Sequence, residues 1–178
     1  MPFAKRKPSD SPAPFTVGLI GGGSIARLIV RELLEHHPQI RLAFVLVHGE
    51  WRSKDRRLAE RVRLTSSLPE LLSWGPVLVA ECAGHAGLAE CGAAVLEHGT
   101  DLVVASVGAL AEPALEHALR AAAQAGGSRM RIPSGAVGGL DALASARLGG
   151  LAAVRYVGSK PVAAWRGTRA EQTMDLEE

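Results

Sequence analysis

Six consecutive residues, Gly21-Gly22-Gly23-Ser24-Ile25-Ala26, spell G-x-G-x-x-A, and each small residue in that pattern has a chemical use. Gly21 permits a tight turn, Gly23 lets the backbone approach a pyrophosphate, and Ala26 lets a helix pack closely on the strand before it. A helix starting at such a turn offers free N–H groups and a partial positive charge to phosphates. Gly21, Gly23, Ser24 and Ile25 are therefore candidate cofactor-binding residues. The alternative is a turn whose glycines only shape the chain. Context favours the cradle: an apolar strand precedes the motif, a helix follows, and a βαβ unit closes within about 30 residues.

Four further stretches could carry chemistry. "HGEWRSKDRR" (His48–Arg57) lies where an acid usually binds the adenosine ribose. His48 stands near that place and Glu50 is displaced from it, so a strict NAD preference is not indicated. Arg52, Ser53 and Lys54 could meet a 2′-phosphate, or could form a solvated charged loop; NAD or NADP remains open. "ECAGHAG" (Glu81–Gly87) follows the fourth strand, and ligands bind beyond the carboxyl ends of strands in an open α/β sheet. Ala83 and Gly84 would let a cofactor lie close. His85 is the tempting acid–base candidate, although a helix-capping or surface role fits its place at a helix start better. "SVGAL" (Ser106–Leu110) ends the fifth strand and would put Ser106 on the same crevice. "IPSGAVGGLDAL" (Ile132–Leu143) gathers small residues and an acid between a strand and a helix, making Ser134, Gly135 and Asp141 candidate substrate contacts or parts of a plain turn.

These residues need a scaffold, and the periodicity supplies one. Strands are predicted at Phe15–Ile20, Ile40–Val47, Val62–Thr65, Val77–Ala83, Asp101–Ser106, Met130–Ile132 and Ala152–Lys160. Helices are predicted at Ser24–His37, with Ile25, Leu28, Ile29 and Leu33 on one face, then after Ser67, from Ala86 to His98, from Pro113 to Ala125, and from Gly139 to Arg147. Ser67-Leu68-Pro69-Glu70 has the form of a capping box. The regular alternation, with connections of a few residues, implies α/β architecture: a Rossmann-type doubly wound parallel sheet. Only the beginning of a second α/β substrate or dimerisation domain is expected. The expected organisation is a disordered leader over 1–14, a dinucleotide-binding domain over 15–133, and the start of the second domain with a polar tail over 134–178.

Composition narrows the class. Of 178 residues, 47% are hydrophobic and 4% aromatic, so the core must be built from Ala, Val and Leu. A net charge of +2 without aromatic–basic interleaving gives no case for nucleic acid. Cys82 and Cys91 fit neither a disulfide framework nor a zinc pattern, which suits reduced thiols in a cytoplasmic protein without a metal. No apolar run is long enough for a membrane span, and the N-terminus lacks the apolar core of a secretory signal. His36, His37, His98 and His117 lack ligand spacing.

The motifs "GLIGGGSIA", "VAECAGHAGL", "DLVVASVGAL", "IPSGAVGGLDAL" and "KPVAAWRGT" together resemble the L-aspartate dehydrogenase family, within the aspartate/homoserine dehydrogenase-like group. They span Val17 to Thr168, and the last three are the most specific. The resemblance implies reversible NAD(P)-dependent oxidative deamination of L-aspartate to iminoaspartate. That product hydrolyses to oxaloacetate and ammonia or feeds NAD biosynthesis. It also implies that Ala136 contacts the nicotinamide side of the cofactor, and that full-length members form homodimers. Family members carry an asparagine that binds cofactor and a catalytic histidine well after the "AAWRGT" motif. This sequence holds no asparagine and ends at Glu178, so the catalytic residue is unknown. About 80 to 100 residues of a substrate domain are expected to be absent. Slow or no turnover of aspartate follows as an expectation, with a non-catalytic dinucleotide-binding or interaction module as the alternative.

Overall fold

The computed structural model describes residues 15–46, 60–135, 137–159, 161–166, 171 and 173–175. The chain divides after Gly135 into two compact units. The first contains strands β1 (Phe15–Ile20), β2 (Ile40–Leu46), β3 (Leu64–Thr65), β4 (Leu78–Glu81), β5 (Asp101–Val104) and β6 (Met130–Arg131). Its helices are α1 (Ser24–His36), α2 (Leu68–Ser73), α3 (Gly84–Glu97) and α4 (Pro113–Gly126), with a 3₁₀ turn at Val107–Ala111.

All six strands pair in parallel, in the order β3-β2-β1-β4-β5-β6. The order reverses between β1 and β4, so the strand ends there open a crevice. Helices cover both faces, because a parallel sheet buries apolar side chains on each side. Consecutive residues of β1 show the alternation. Leu19 packs with Val30, Val45 and Val62 beside α1, whereas Ile20 joins Leu71, Leu88, Val95, Leu102 and Leu119 on the side of α2, α3 and α4. The expected Rossmann-type doubly wound sheet is therefore present.

Helix ends follow local chemistry. Pro38 lies just beyond α1, whose last turn closes through the His37 N–H to the Leu33 carbonyl. Pro113 sits in the first turn of α4, and Gly127 ends it in the left-handed conformation at φ +64°. At α2 only half of the expected capping box forms. Ser67 Oγ accepts from the Glu70 N–H, but the Ser67 N–H goes to Thr65 Oγ1, which in turn donates to the Glu70 carboxylate. Thr65 at the end of β3 thus replaces the direct return bond.

The predicted apolar face of α1 is corrected. Ala26 and Val30 are buried, Ile29 and Leu33 are half-buried, and Ile25 and Leu28 are 56% and 54% exposed. The helix carries two neighbouring apolar stripes, and close packing on the sheet selects the one with the smaller residues.

The second unit contains α5 (Leu140–Ala146), which buries no residue, and 3₁₀ turns at Arg147–Gly149 and Val162–Ala164. The strand predicted over Ala152–Lys160 does not form in its described part, 152–159. A strand exists through ladder bonds to a neighbour, and no described residue of this unit provides one. Among the described residues no helix is long and apolar enough to cross a membrane.

Candidate functional site

The crevice at the ends of β1, β2 and β4 is a cleft of about 440 Å³ lined by Gly21, Gly22, Gly23, Leu46, Cys82, Ala83, Ala86, Gly87 and Glu90. Backbone bonds set its floor. The Gly21 N–H donates to the Leu46 carbonyl at 2.8 Å, and the Cys82 N–H donates to the Ile20 carbonyl at 2.7 Å. Gly21 has φ +113°, and a Cβ there would stand 2.5 Å from the Cys82 carbonyl oxygen. No other residue fits both the conformation and the space.

Gly23 differs. Its backbone is extended, at φ −75° and ψ −171°, and a Cβ would meet nothing within 4 Å. Glycine here leaves open space in front of the N-terminus of α1. That terminus has no side-chain cap and no acid in its first turn. Its N–H groups and positive dipole end are therefore open to an anion. The residues present fit a pyrophosphate. Arg27 bends back over the same loop, with Nη1 donating to the Gly22 carbonyl at 3.3 Å and Nη2 to Ser24 Oγ at 3.4 Å.

The start of α3 is arranged in the opposite way. Glu81, the last residue of β4, is completely buried. Its Oε1 accepts from the Ala83 N–H at 2.7 Å, the Gly84 N–H at 3.1 Å and Ser106 Oγ at 2.8 Å, and its Oε2 accepts from the Ser106 N–H at 3.1 Å. The carboxylate thus caps α3 and ties it to the end of β5. A second close approach follows one turn into α3, where a Cβ on Gly87 would collide with that of Ala83.

Among the residues singled out from sequence, the structure brings Gly21, Gly23 and Ala83 to one cleft. Ser24 and Ile25 are exposed in the first turn of α1, beside it. Gly84 starts α3 at φ +86° and is exposed. Ser106 is not among the lining residues, and its hydroxyl is directed to Glu81. Ser134 and Gly135 are exposed beyond β6, and Asp141 is exposed on α5 in the second unit. Ala136 and the segment 47–59, with His48, Glu50, Arg52, Ser53 and Lys54, lie outside the described residues.

His85 is exposed in the first turn of α3, with Nε2 close enough to Gly108 that a Cβ there would stand 2.9 Å away. It does not line the cleft. His36, His37 and His98 lie at helix ends and His117 on the exposed side of α4. Among the described residues no cluster could hold a metal ion.

Sequence reasoning missed Glu81, Cys82 and Glu90. Glu81 had one signal, a charge inside the otherwise apolar run "VLVAECA". Glu90 follows Ala86 and Gly87 at helical spacing and shares their face. Cys82 is a thiol rather than a nucleophilic thiolate: burial, then the charge of Glu81, push it up to about 11. Burial, Glu90 and Glu81 likewise raise Cys91.

Known proteins are similar to this chain in sequence and fold. The family model described as the NAD-binding domain of homoserine dehydrogenase matches residues 21–133. The L-aspartate dehydrogenase of Pseudomonas aeruginosa is 43% identical over 161 residues, which make up 89% of this chain and 60% of that protein. The crystal structure of aspartate dehydrogenase from Thermotoga maritima matches with a TM-score of 0.54 at 25% identity, over 74% of this chain and 50% of that one. Biliverdin reductase from Synechocystis, solved with biliverdin and NADP+, shares the fold with a TM-score of 0.59 at 20% identity, over 84% of this chain and 49% of its own. The chain spans about 60% of the length of the curated relatives it matches.

Proposed function

The chain belongs to the homoserine dehydrogenase NAD-binding-domain family, and from that premise we propose that its cleft holds NAD or NADP for an aspartate dehydrogenase-type oxidation. The observation that carries this reading is the uncapped N-terminus of α1 behind Gly23, at the point where the strand order reverses. Gly21 would shape the turn, and Gly23, Ser24 and Ile25 would present first-turn N–H groups to the pyrophosphate. Arg27 would add a positive charge beside it. Ala83 and Gly84 would give the second half of the cofactor a small-residue wall. Ser106 would act through Glu81, and Ala136, Ser134, Gly135 and Asp141 remain candidates for the nicotinamide and substrate side.

A bound nicotinamide supplies the hydride acceptor. The chain's own residues would bind and orient the cofactor. The likeness to L-aspartate dehydrogenases at 43% identity supports L-aspartate as the substrate of the whole protein. Oxidation of its amine also requires a clamp for two carboxylates and a group that handles protons at the imine. Among the described residues lining the cleft no histidine is available for that task.

Calorimetric titration with NAD+, NADP+ and their reduced forms tests the cofactor role. Saturable binding of at least one pair is expected, and no binding at millimolar cofactor would reject it. Aspartate-dependent formation of reduced nicotinamide then tests the substrate. Binding with no turnover would leave a dinucleotide-binding module.

A further inference from the structure

Glu81 places one negative charge at a point the cofactor reading makes important. It is completely buried at the end of β4, and all four of its partners donate: three backbone N–H groups and the Ser106 hydroxyl. Such an acceptor-only set suits an ionised carboxylate, which needs no acceptor for a proton of its own. Two consequences follow. The Ala83 and Gly84 N–H groups at the start of α3 are already taken, whereas the start of α1 has no side-chain cap. The β4 side of the crevice, where Cys82 and Ala83 line it, has a buried negative charge beside it.

In the doubly wound fold the adenosine half lies over β1, β2 and β3, because the ribose-binding position follows β2. On that reading the nicotinamide half would lie toward the ends of β4 and β5, where Glu81 is buried. The oxidised nicotinamide ring carries a positive charge and the reduced ring is neutral. We propose that Glu81 is a specificity-determining residue that biases the cleft toward the oxidised, cationic cofactor while tying together the two loops beneath it. This rests on the dinucleotide reading given above. The charge is felt at the cleft wall, since it adds to burial in raising the Cys82 thiol. Its three N–H partners spread it, so the bias is moderate.

A structural strut and a charge make different predictions. Loss of a strut weakens both redox forms alike, whereas loss of the charge weakens mainly the oxidised one. Dissociation constants for NAD+ and NADH, or the NADP pair if that is the one bound, are measured by calorimetry on the full chain. Glu81→Gln is expected to weaken the oxidised form about three- to tenfold more than the reduced form, the range given by one charge acting through a partly screened protein medium. Glu81→Asp keeps the charge while disturbing the bonds. It should hold the oxidised-to-reduced ratio within about twofold, even where both affinities fall. Equal weakening of both forms in Glu81→Gln overturns the inference. So does a ratio in Glu81→Asp that moves as the Gln variant's should, which decides the matter if Glu81→Gln does not fold. A wild-type chain that binds neither form overturns the cofactor reading itself, and this inference with it. Tight wild-type binding with an unmoved ratio removes only the charge role.

Discussion

Replacing Gly23 by Asp should move stability and cofactor binding in opposite directions. The backbone at Gly23 is extended, so any residue adopts it, and a Cβ would meet nothing within 4 Å. The new carboxylate would stand at an uncapped N-terminus with no acid in the first turn. It can accept from the first-turn N–H groups and interact favourably with the helix dipole. Relative to glycine, that stabilises α1 by a few tenths to about 1 kcal/mol. For a protein of this size the melting temperature should rise by about 1–3 °C. The same carboxylate would occupy the space in front of the pyrophosphate cradle. At about 5 Å and an effective dielectric near 20, like charges repel by about 3 kcal/mol. NAD(P) binding should therefore weaken by at least about 100-fold. Thermal unfolding followed by circular dichroism and calorimetric titration read the two effects separately. Unchanged affinity would show that phosphate does not sit at α1. A melting temperature lowered by several degrees would show that Gly23 is confined rather than open.

Other consequences follow from the same geometry. Gly21→Ala combines a positive φ with a Cβ 2.5 Å from the Cys82 carbonyl oxygen, and should destabilise the first unit by about 2–3 kcal/mol in urea unfolding. Leu119→Ala removes a side chain that is 0% exposed in the main core and should cost about 3 kcal/mol. Leu28→Gln, on the exposed stripe of α1, should stay within about 0.5 kcal/mol of wild type. A loss in Leu28→Gln comparable to Leu119→Ala would mean that the other stripe of α1 faces the sheet. The Cys82 thiol, raised from 9.0 to about 11 in the folded state, stays protonated where the unfolded thiol ionises. Its contribution to stability is complete below pH 9 and lost as pH rises from there through about 11. A Cys82→Ala variant should therefore show a shallower fall in melting temperature over that window, and alkylation of native Cys82 should remain slow until the pH approaches the folded value.

Much of the fold was legible in the residues because its signals are local. Alternating apolar strands, Pro113 at a helix start, Gly127 at a helix end and the G-x-G-x-x-A turn each act within a few positions. Those same signals predicted the parallel sheet, since short βα connections leave little choice of topology. The exceptions have nonlocal causes. Whether Ala26 or Leu28 of α1 meets the sheet depends on how closely the helix packs. Whether residues 152–159 form a strand depends on a neighbour, not on their own pattern.

The site divides along the same line. The sequence by itself determined that a glycine turn stands at the start of α1, because backbone conformation and small side chains are written directly in residue type. Only the tertiary structure decided that α1 is open while α3 is already capped. The capping bonds themselves are local, from the Ala83 and Gly84 N–H groups to Glu81, but the carboxylate is also tied to Ser106 across 25 positions of chain, a contact made by adjacent parallel strands that no local pattern encodes.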